Sequence, residues 1–281
     1  MSTAATDTLN QVTDREFDFQ PRDFARVRAL IYDRAGISLH EGKQAMVYSR
    51  LSRRLRETGH TSFESYLKWL EAGTGAQTEW QEFVNCLTTN LTSFFREEHH
   101  FHTLTEWLKA RNGQPTRIWC AASSTGEEPY SLAITVGETM GLHAPVKITA
   151  SDIDTNVLTT ASRGVYDANA RGLTPQHLRN YFLKGKAGNS GSIRVKPELS
   201  RMIEFRPFNL MQTSWQLGDT FDIVFCRNVM IYFDAPTQRK VLERIHGVMK
   251  PKGMLFVGHS ENFTESKDLF TLRGKTVYDR V

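Results

Sequence analysis

The sequence predicts a mixed α/β fold preceded by an all-helical domain, and three observations support this prediction. Apolar residues recur at helical spacing throughout residues 21–87, and no strand pattern interrupts them. From residue 116 onward, short apolar runs alternate with helical patterns, which is typical of a parallel sheet covered by helices on both faces. The chain has 281 residues, a length that suggests about two domains.

The predicted helical domain spans residues 21–88. Pro21 suits the first turn of the first helix. Gly36 and Gly59 are placed to end the first two helices, because glycine readily adopts the left-handed conformation of a C-terminal cap. Residues 89–115 are expected to form a linker segment and a helix that lead into the second domain.

The second domain, predicted for residues 116–281, contains five apolar runs that indicate sheet strands. They occupy residues 118–121, 146–150, 203–205, 221–226 and 254–257. A closing hairpin is predicted near the C-terminus, with its turn at Gly274. Residues 164–201 break the alternation with a short helix that starts at Pro175 and a glycine-rich turn. We therefore predict a small antiparallel insertion between the second and third strands.

Composition excludes several classes of protein. Hydrophobic residues make up 40% of the chain and charged residues 23%, and the net charge of +4 is too mild to indicate nucleic-acid binding by itself. No apolar run approaches the ~18 residues of a membrane span. Residues 1–20 are polar and lack the apolar core of a secretory signal, so we expect a mobile tail there. The three cysteines have no CxxC spacing, which favours a reducing cytoplasm over a disulfide framework or a cysteine zinc site.

The turn after the first predicted strand, Ser123-Ser-Thr-Gly-Glu-Glu-Pro129, is built to let a ligand approach the backbone. A dinucleotide site would need G-x-G-x-x-G, whereas this turn has one glycine. Glu127 and Glu128 would repel phosphate. The turn favours a ligand that is positively charged or lacks phosphate, although an ordinary strand-to-helix turn explains the segment taken alone.

Polar residues follow three further predicted strands. Asp152 ends the second strand, near the position (~20 residues after the turn) where an acidic residue accepts hydrogen bonds from ribose hydroxyls in this type of sheet. Carboxylate acceptors without a phosphate cradle predict an adenosine that bears a cationic group, and S-adenosylmethionine is that ligand. Asn209 follows the third strand, and Arg227-Asn228 follows the fourth, so both should border the same crevice. For Asn209, a turn cap is an equally good explanation.

Five segments of the chain carry a family resemblance. They are Leu87-Thr-Thr-Asn-Leu-Thr-Ser-Phe-Phe-Arg96, Ser124-Thr-Gly-Glu-Glu-Pro-Tyr-Ser131, Ala150-Ser-Asp-Ile-Asp154, Phe225-Cys-Arg-Asn-Val-Met-Ile-Tyr-Phe233 and Gly258-His-Ser-Glu261. In this order they resemble the chemotaxis receptor methyltransferases of the CheR type, from about residue 20 to the C-terminus. The resemblance implies a class I S-adenosylmethionine-dependent methyltransferase domain, with a Rossmann-like sheet and a small antiparallel β-subdomain, preceded by an all-α domain.

The resemblance also implies which residues bind the methyl donor. They are Asn90, Thr92 and Arg96 from the linker, Glu127 and Asp152 at the first two strand ends, and Asn209, Leu210, Arg227 and Asn228 farther along the chain. The implied reaction is methyl transfer to the γ-carboxylate of glutamates on the cytoplasmic helices of chemotaxis receptors. It yields glutamate methyl esters and S-adenosylhomocysteine and serves sensory adaptation. The implied enzyme is cytoplasmic and recruited to receptors at the inner face of the membrane; whether a receptor's C-terminal peptide docks on the inserted subdomain is left open.

The implied reaction needs no general base, because a glutamate with an ordinary pKa near 4.3 is already ionised at neutral pH. The remaining task is to orient and dehydrate the carboxylate. We expect Arg96 to orient it as a planar two-pronged donor. Tyr232 is expected either to donate a hydrogen bond or to pack below the donor. No metal is predicted, because His99 and His102 share a helix face but lack a third ligand.

The second helix carries a candidate substrate-binding surface. Arg50, Arg53, Arg54 and Arg56 fall on the side opposite the apolar stripe, and no acidic residue stands between Glu41 and Glu57. A solvated basic face is the ordinary explanation, but such a face also suits a glutamate-rich receptor helix.

Base-methylating enzymes usually carry Asp/Asn-Pro-Pro-Tyr after the fourth strand. The segment 228–232 has no proline pair, so a nucleic-acid substrate is disfavoured; a module that binds the donor without turnover is disfavoured by the intact motifs. We expect a monomer.

Overall fold

The computed structural model describes residues 15–73, 77–218, 220–263 and 265–281. Its N-terminal part consists of helices, as the apolar periodicity predicts. These helices are α1 (Pro21–Ala35), α2 (Gln44–Thr58), α3 (Phe63–Ala72) and α4 (Gln77–Leu87). Gly36 and Gly59 end α1 and α2 with φ of 70° and 74°, which confirms their predicted role as caps.

The last residues of the predicted mobile tail are in fact packed, so the boundary at residue 20 is wrong. Phe17 and Phe19 are buried in the core of the helical domain, and the Phe19 ring lies 4.4 Å from the Phe63 ring, measured between centroids. Burying two aromatic rings favours an ordered segment. Residues 1–14 of that prediction lie outside the described residues.

The second part of the chain alternates helices and strands. Its helices are α5 (His99–Ala110), α6 (Glu127–Met140), α7 (Thr155–Arg163), α8 (Pro175–Tyr181), α9 (Pro197–Ser200) and α10 (Ala235–Val248). Its strands are β1 (Thr116–Cys120), β2 (Val146–Asp152), β3 (Val165–Asp167), β4 (Phe182–Lys184), β5 (Ser192–Val195), β6 (Ile203–Pro207), β7 (Phe221–Phe225), β8 (Met249–Phe256), β9 (Phe270–Gly274) and β10 (Val277–Arg280).

The large sheet has the strand order β6-β2-β1-β7-β8-β10-β9. Strands β6, β2, β1, β7 and β8 are parallel, and the β9–β10 hairpin adds antiparallel to β8. All five residues of β7 are buried, as expected for a central strand covered on both faces. The strand order reverses direction beside β1. In open sheets of this kind, the crevice at the carboxyl ends of the strands beside such a reversal binds ligands.

The predicted insertion is present as a separate three-stranded antiparallel sheet, β3-β5-β4, placed between β2 and β6 in the chain. It packs tightly on the linker. Gly172 has a φ of 98°, and a Cβ atom there would lie 1.9 Å from the carbonyl oxygen of Phe94. The Phe94 ring in turn contacts Tyr166 and Phe182 edge-on. The insertion therefore braces the segment that enters the candidate site.

The described helices include none that is both long and apolar enough to cross a membrane.

Candidate functional site

A cavity of about 330 Å³ lies between the helical domain and the carboxyl ends of the large sheet. Most of the residues that sequence analysis singled out for ligand binding or catalysis line it. They are Asn90, Thr92, Arg96, Asp152, Asn209, Leu210, Arg227, Asn228 and Tyr232. The small-residue turn after β1 contributes Ala121, Ala122 and Ser124 to the wall. The cavity thus stands at the sheet edge where the strand order predicts a ligand.

The helical domain supplies a wall of the cavity that sequence analysis missed. Residues 37–40, which follow α1, line the cavity together with Lys43 and Met46. This loop is fastened to the sheet domain, because the N–H of Ser38 donates to the carbonyl of Tyr232 at 2.8 Å. The sequence showed only a helix stop at Gly36, and a loop that follows a stop has no periodic signal that could reveal its role.

Asp152, at the end of β2, is buried and held by backbone donors. Its Oδ2 accepts the N–H of Ser124 at 2.8 Å, and its Oδ1 accepts the N–H of Asp154 at 2.9 Å. Burial nevertheless raises the pKa of this carboxyl to about 6. Each carboxylate oxygen can accept a further hydrogen bond. Asp152 lines the cavity and is therefore a fixed acceptor in its wall.

Glu127, which the resemblance assigns to donor binding, is not brought to the cavity wall. Its carboxylate turns back to accept the hydroxyl of Thr125 at 2.7 Å, and burial raises its pKa. The neighbouring Glu128 lines the cavity instead. At the first turn of a helix, adjacent residues point about 100° apart, so only one of the two can face a given direction.

Arg227, two residues after the end of β7, is a buried side chain that connects two segments of the chain. Its side chain is 1% exposed; Nη1 donates to Glu128 at 2.6 Å and Nη2 donates to the backbone carbonyl of Arg96 at 2.5 Å. The Glu97 carboxylate lies 3.5 Å from Nη2. The guanidinium therefore fixes the linker against the sheet at the point where the side chain of Arg96 enters the cavity.

The linker itself is pinned at several points. The side-chain amide of Asn90 donates to Asp154 Oδ2 at 2.8 Å, and the backbone carbonyl of Asn90 accepts the Ser124 hydroxyl at 3.1 Å. Arg96 Nη1 donates to the carbonyl of Leu91 at 3.0 Å. An arginine side chain has five N–H donors, so most of those on Arg96 are left for a ligand.

The structure gives Asn209 the turn-cap role that sequence analysis had left open. Its Nδ2 donates to the carbonyl of Arg34 at 2.7 Å, and its Oδ1 accepts the N–H of Met211 at 2.9 Å. The side chain thus ties the loop after β6 to the C-terminus of α1. Asn209 and the buried Leu210 both line the cavity, and the amide of Asn209 keeps one donor and one acceptor position beyond these two hydrogen bonds.

Glu261 holds two strand-end loops together, and sequence analysis did not assign it a role. Its carboxylate accepts the N–H groups of Asn228, Met230 and Gly258 at 3.0, 2.8 and 2.6 Å. Burial raises its pKa against the opposing effect of these hydrogen bonds. Asn228 has a φ of 58°, and a Cβ atom on Gly258 would lie 2.3 Å from its Nδ2. The Gly-His-Ser-Glu segment therefore fixes the Arg227-Asn228 turn.

Replacing Glu261 with Gln is expected to destabilise the fold, because one amide oxygen cannot accept three buried N–H groups. Each orphaned donor costs about 1–3 kcal/mol, and the unfolding free energy from urea denaturation should fall by that amount. The exposed Glu265 lies in the same loop, and Glu265→Gln is the matched control. Equal stability of the two variants would contradict the pinning role.

Tyr232 lines the cavity, and its ring packs where the cores of both domains meet. Within the part of the chain that the structure describes, its hydroxyl has no hydrogen-bond partner. The two interpretations of Tyr232, as a donor to the substrate and as a packing residue, are therefore both compatible with its position.

The arginines of the candidate basic face on α2 have partners in the structure. The sequence had suggested that no acidic residue neutralises them, and that premise is wrong. Arg53 and Arg56 are exposed and pair with Glu57 and Glu16, respectively. Arg54 is only 15% exposed and pairs with Glu57 and with the buried Glu79. Arg50 donates to the carbonyls of Cys86 and Thr88 at 3.2 and 2.6 Å. The partners Glu16 and Glu79 are distant in sequence, so local charge counting could not detect them.

The histidines of the linker helix are arranged differently from the pairing considered in the sequence. His102 is exposed, whereas His100 is buried; ligand atoms of Glu97, His99 and His100 come within 4.8 Å of one another. Burial lowers the pKa of His100 to about 3. The Arg227 guanidinium lies 3.5 Å from Glu97 Oε2 and would repel a cation, so we assign no metal to this group.

The chemistry of the cavity fits S-adenosylmethionine. Asp152 places a carboxylate acceptor in the wall, whereas the charge of Glu128 is already paired with Arg227. Phe208, Leu210 and Ile153 supply apolar surface suited to a purine ring. Arg96 offers donors to a ligand carboxylate.

Comparison with known proteins identifies the family of this chain. Residues 22–88 match the family model "CheR methyltransferase, all-alpha domain", and residues 90–278 match "CheR methyltransferase, SAM binding domain". The chemotaxis protein methyltransferase of Escherichia coli K12 is 49% identical over 276 residues, which cover 97% of this chain and 95% of that protein. Chemotaxis protein methyltransferase 2 of Pseudomonas aeruginosa is 48% identical over 269 residues, covering 94% of this chain and 95% of that protein. The chain therefore belongs to the CheR methyltransferase family and is an S-adenosylmethionine-dependent enzyme.

Proposed function

We propose that this enzyme methylates the γ-carboxylate of specific glutamates on the cytoplasmic helices of chemotaxis receptors. The observation that supports this most directly is the convergence of Asp152 and Arg96 on one cavity. The carboxylate of Asp152 suits a cationic methyl donor, and the guanidinium of Arg96 suits a carboxylate acceptor. The relatives named as chemotaxis protein methyltransferases point to the same substrate class.

The bound donor supplies an electrophilic methyl group on a sulfonium, and the protein has to bring a carboxylate to it. Arg96 uses one nitrogen on the carbonyl of Leu91 and directs the remaining donors at the acceptor carboxylate. Tyr232 faces the same space, and its hydroxyl adds one hydrogen bond to the acceptor in this proposal. Charge is neutralised as the bond forms, so a site that excludes water favours the transfer.

Methylation of a purified receptor cytoplasmic fragment with tritiated donor tests the proposal. We expect the label to be released as methanol by mild base, since carboxylate methyl esters hydrolyse there and methylated amines do not. A receptor fragment with its candidate glutamates replaced by alanine is the control. Label that is absent, stable to base or equal in the alanine fragment would contradict the proposal.

Arg96→Lys is expected to lose most of the transferase activity although the positive charge remains. Lysine cannot make the planar two-pronged contact with a carboxylate. The loss of one charge-assisted hydrogen bond corresponds to about 1.5–3 kcal/mol, or roughly 10- to 150-fold in kcat/KM. Steady-state methylation of the receptor fragment measures it. Wild-type turnover in Arg96→Lys would leave only a nonspecific charge role for this residue.

Two of the four arginines on α2 remain good candidates for receptor binding. Arg53 and Arg56 are exposed, and exposed ion pairs contribute only about 0–1 kcal/mol, so they can exchange Glu57 and Glu16 for receptor carboxylates. Arg54 and Arg50 are engaged in holding α2 to α4 and the linker. In the proposal, these two support the surface that Arg53 and Arg56 present.

The double variant Arg53→Glu/Arg56→Glu is expected to lower kcat/KM for the receptor by about tenfold or more, because attraction becomes repulsion. Affinity for S-adenosylhomocysteine should be unchanged. Higher salt should also weaken wild-type receptor methylation, since the Debye length is ~8 Å at 0.15 M ionic strength.

The matched control for this face is Arg239→Glu/Arg273→Glu, which reverses two arginines that form ion pairs elsewhere on the surface. Equal activity of the two double variants would assign receptor recognition to another surface.

A second contact completes the proposal. Val165, Arg194 and Leu183 form an exposed row across the small sheet, and strands β3 and β4 are its edges. A receptor's C-terminal peptide can add as a further strand at such an edge, which would recruit this cytoplasmic enzyme, as a monomer, to receptors at the inner face of the membrane. Calorimetric titration with a receptor tail peptide, against the same peptide scrambled, tests this contact; no difference between the two would refute it.

A further inference from the structure

We propose that Leu91 and Ile231 form an apolar rim that docks on the receptor helix beside the acceptor glutamate and keeps water out of the reacting site. The two residues are called the rim below. This inference rests on the proposed function and concerns how the substrate is recognised. It adds an apolar contact that determines specificity to the charged contacts proposed for Arg53 and Arg56.

The first observation is exposure at the cavity. Leu91 is 81% exposed and Ile231 is 50% exposed, and both line the cavity that holds Asp152 and Arg96. A single exposed leucine needs no explanation. Two exposed aliphatic side chains that border one cavity place apolar surface where the substrate has to enter.

The second observation is that the backbone beneath both residues is fixed. The carbonyl of Leu91 accepts Arg96 Nη1 at 3.0 Å, and the preceding carbonyl of Asn90 accepts the Ser124 hydroxyl at 3.1 Å. The exposure of Leu91 is therefore not the result of a loose loop. Its side chain is presented from a segment whose position is already determined.

Ile231 is held in the same way. It lies in the short 3-10 turn Met230–Tyr232. The N–H of Met230 donates to Glu261 at 2.8 Å, and the carbonyl of Tyr232 accepts the N–H of Ser38 at 2.8 Å. A contact surface fixed before binding loses little conformational entropy when its partner arrives.

The partner chemistry follows from the geometry of a helix. Side chains three and four residues away from the acceptor glutamate lie on the same helix face. The rim matches a glutamate flanked at those positions by small or apolar residues and disfavours one flanked by charges. Burial of the rim against such a helix removes water from the carboxylate as Arg96 receives it.

The test compares Leu91→Ser/Ile231→Ser with the conservative double variant Leu91→Met/Ile231→Val. Leu272→Ser is the control, because Leu272 is exposed on β9 and does not line the cavity. We measure kcat/KM for the receptor fragment and calorimetric affinity for S-adenosylhomocysteine. The serine variant should lose about tenfold or more in kcat/KM, with donor affinity within about twofold of wild type. Leu272→Ser should behave as wild type, and the conservative variant, which keeps the rim apolar, should retain most of the kcat/KM that the serine variant loses.

Three results would overturn the rim: unchanged kcat/KM in the serine variant, an equal loss in Leu272→Ser, or a parallel loss of donor affinity that would move these residues into the donor site. Failure of the proposed function is separate, because in that case wild-type enzyme itself would leave no base-labile methyl on the receptor.

Discussion

Asp152→Ala is expected to weaken binding of S-adenosylhomocysteine by roughly 10- to 150-fold, which corresponds to about 1.5–3 kcal/mol for hydrogen bonds to a charged group. Two backbone N–H groups hold this carboxylate in place, so its remaining acceptor capacity is offered to ligand hydroxyls from a fixed position. Isothermal titration calorimetry gives the affinity. Unchanged affinity in a folded variant would remove Asp152 from the donor site.

The same carboxylate should make donor affinity depend on pH. Burial raises the pKa of Asp152 to about 6 in the free protein, whereas hydroxyl donors from a ligand stabilise the ionised form and lower it. The free enzyme therefore binds a proton below pH 6 that the complex must release. Affinity should fall by about tenfold between pH 7.5 and pH 5, since each pH unit below the pKa costs up to tenfold. The donor affinity of Asp152→Asn should not change with pH over this range. If the affinity of the wild-type enzyme also does not change, Asp152 does not bind the donor.

Arg227→Met is expected to cost about 3–5 kcal/mol of unfolding free energy, because it removes one partner from a buried ion pair. Glu128 would be left without its 2.6 Å partner, Glu97 would lose a nearby cation, and the carbonyl of Arg96 would lose its donor. Guanidinium denaturation measures the change. Arg239→Met, which breaks an exposed ion pair, should cost no more than about 1 kcal/mol.

A second variant keeps this prediction testable if Arg227→Met does not fold. Adding Glu128→Gln to Arg227→Met should recover part of the stability, because the orphaned carboxylate becomes neutral. A double variant no more stable than Arg227→Met would show that the pair is not the source of the loss.

The sequence was sufficient for the sheet and for the wall of the site that follows the strands. Buried strands such as β7 are continuous apolar runs, and residues that follow parallel strands must meet at one edge. Asp152 and Arg227 could therefore be placed in the cavity from spacing and motif.

What the sequence could not give depends on contacts between distant segments. The pairing of Arg56 with Glu16 and of Arg54 with Glu79 joins residues that no local pattern connects. The side-chain direction that separates Glu127 from Glu128 is decided by a hydrogen bond to Thr125. Asn209 was ambiguous for the same reason, because its partner is a carbonyl on α1.

The loop after α1 has a consequence for how the family is divided into modules. Similarity separates the chain into a unit that ends at residue 88 and another that begins at residue 90. Residues 37–40 of the first unit nevertheless enclose the cavity of the second, and Ser38 is hydrogen-bonded to Tyr232. A chimera that exchanges the N-terminal unit between relatives would therefore also exchange one wall of this cavity, so the cavity is preserved only when both units come from the same protein.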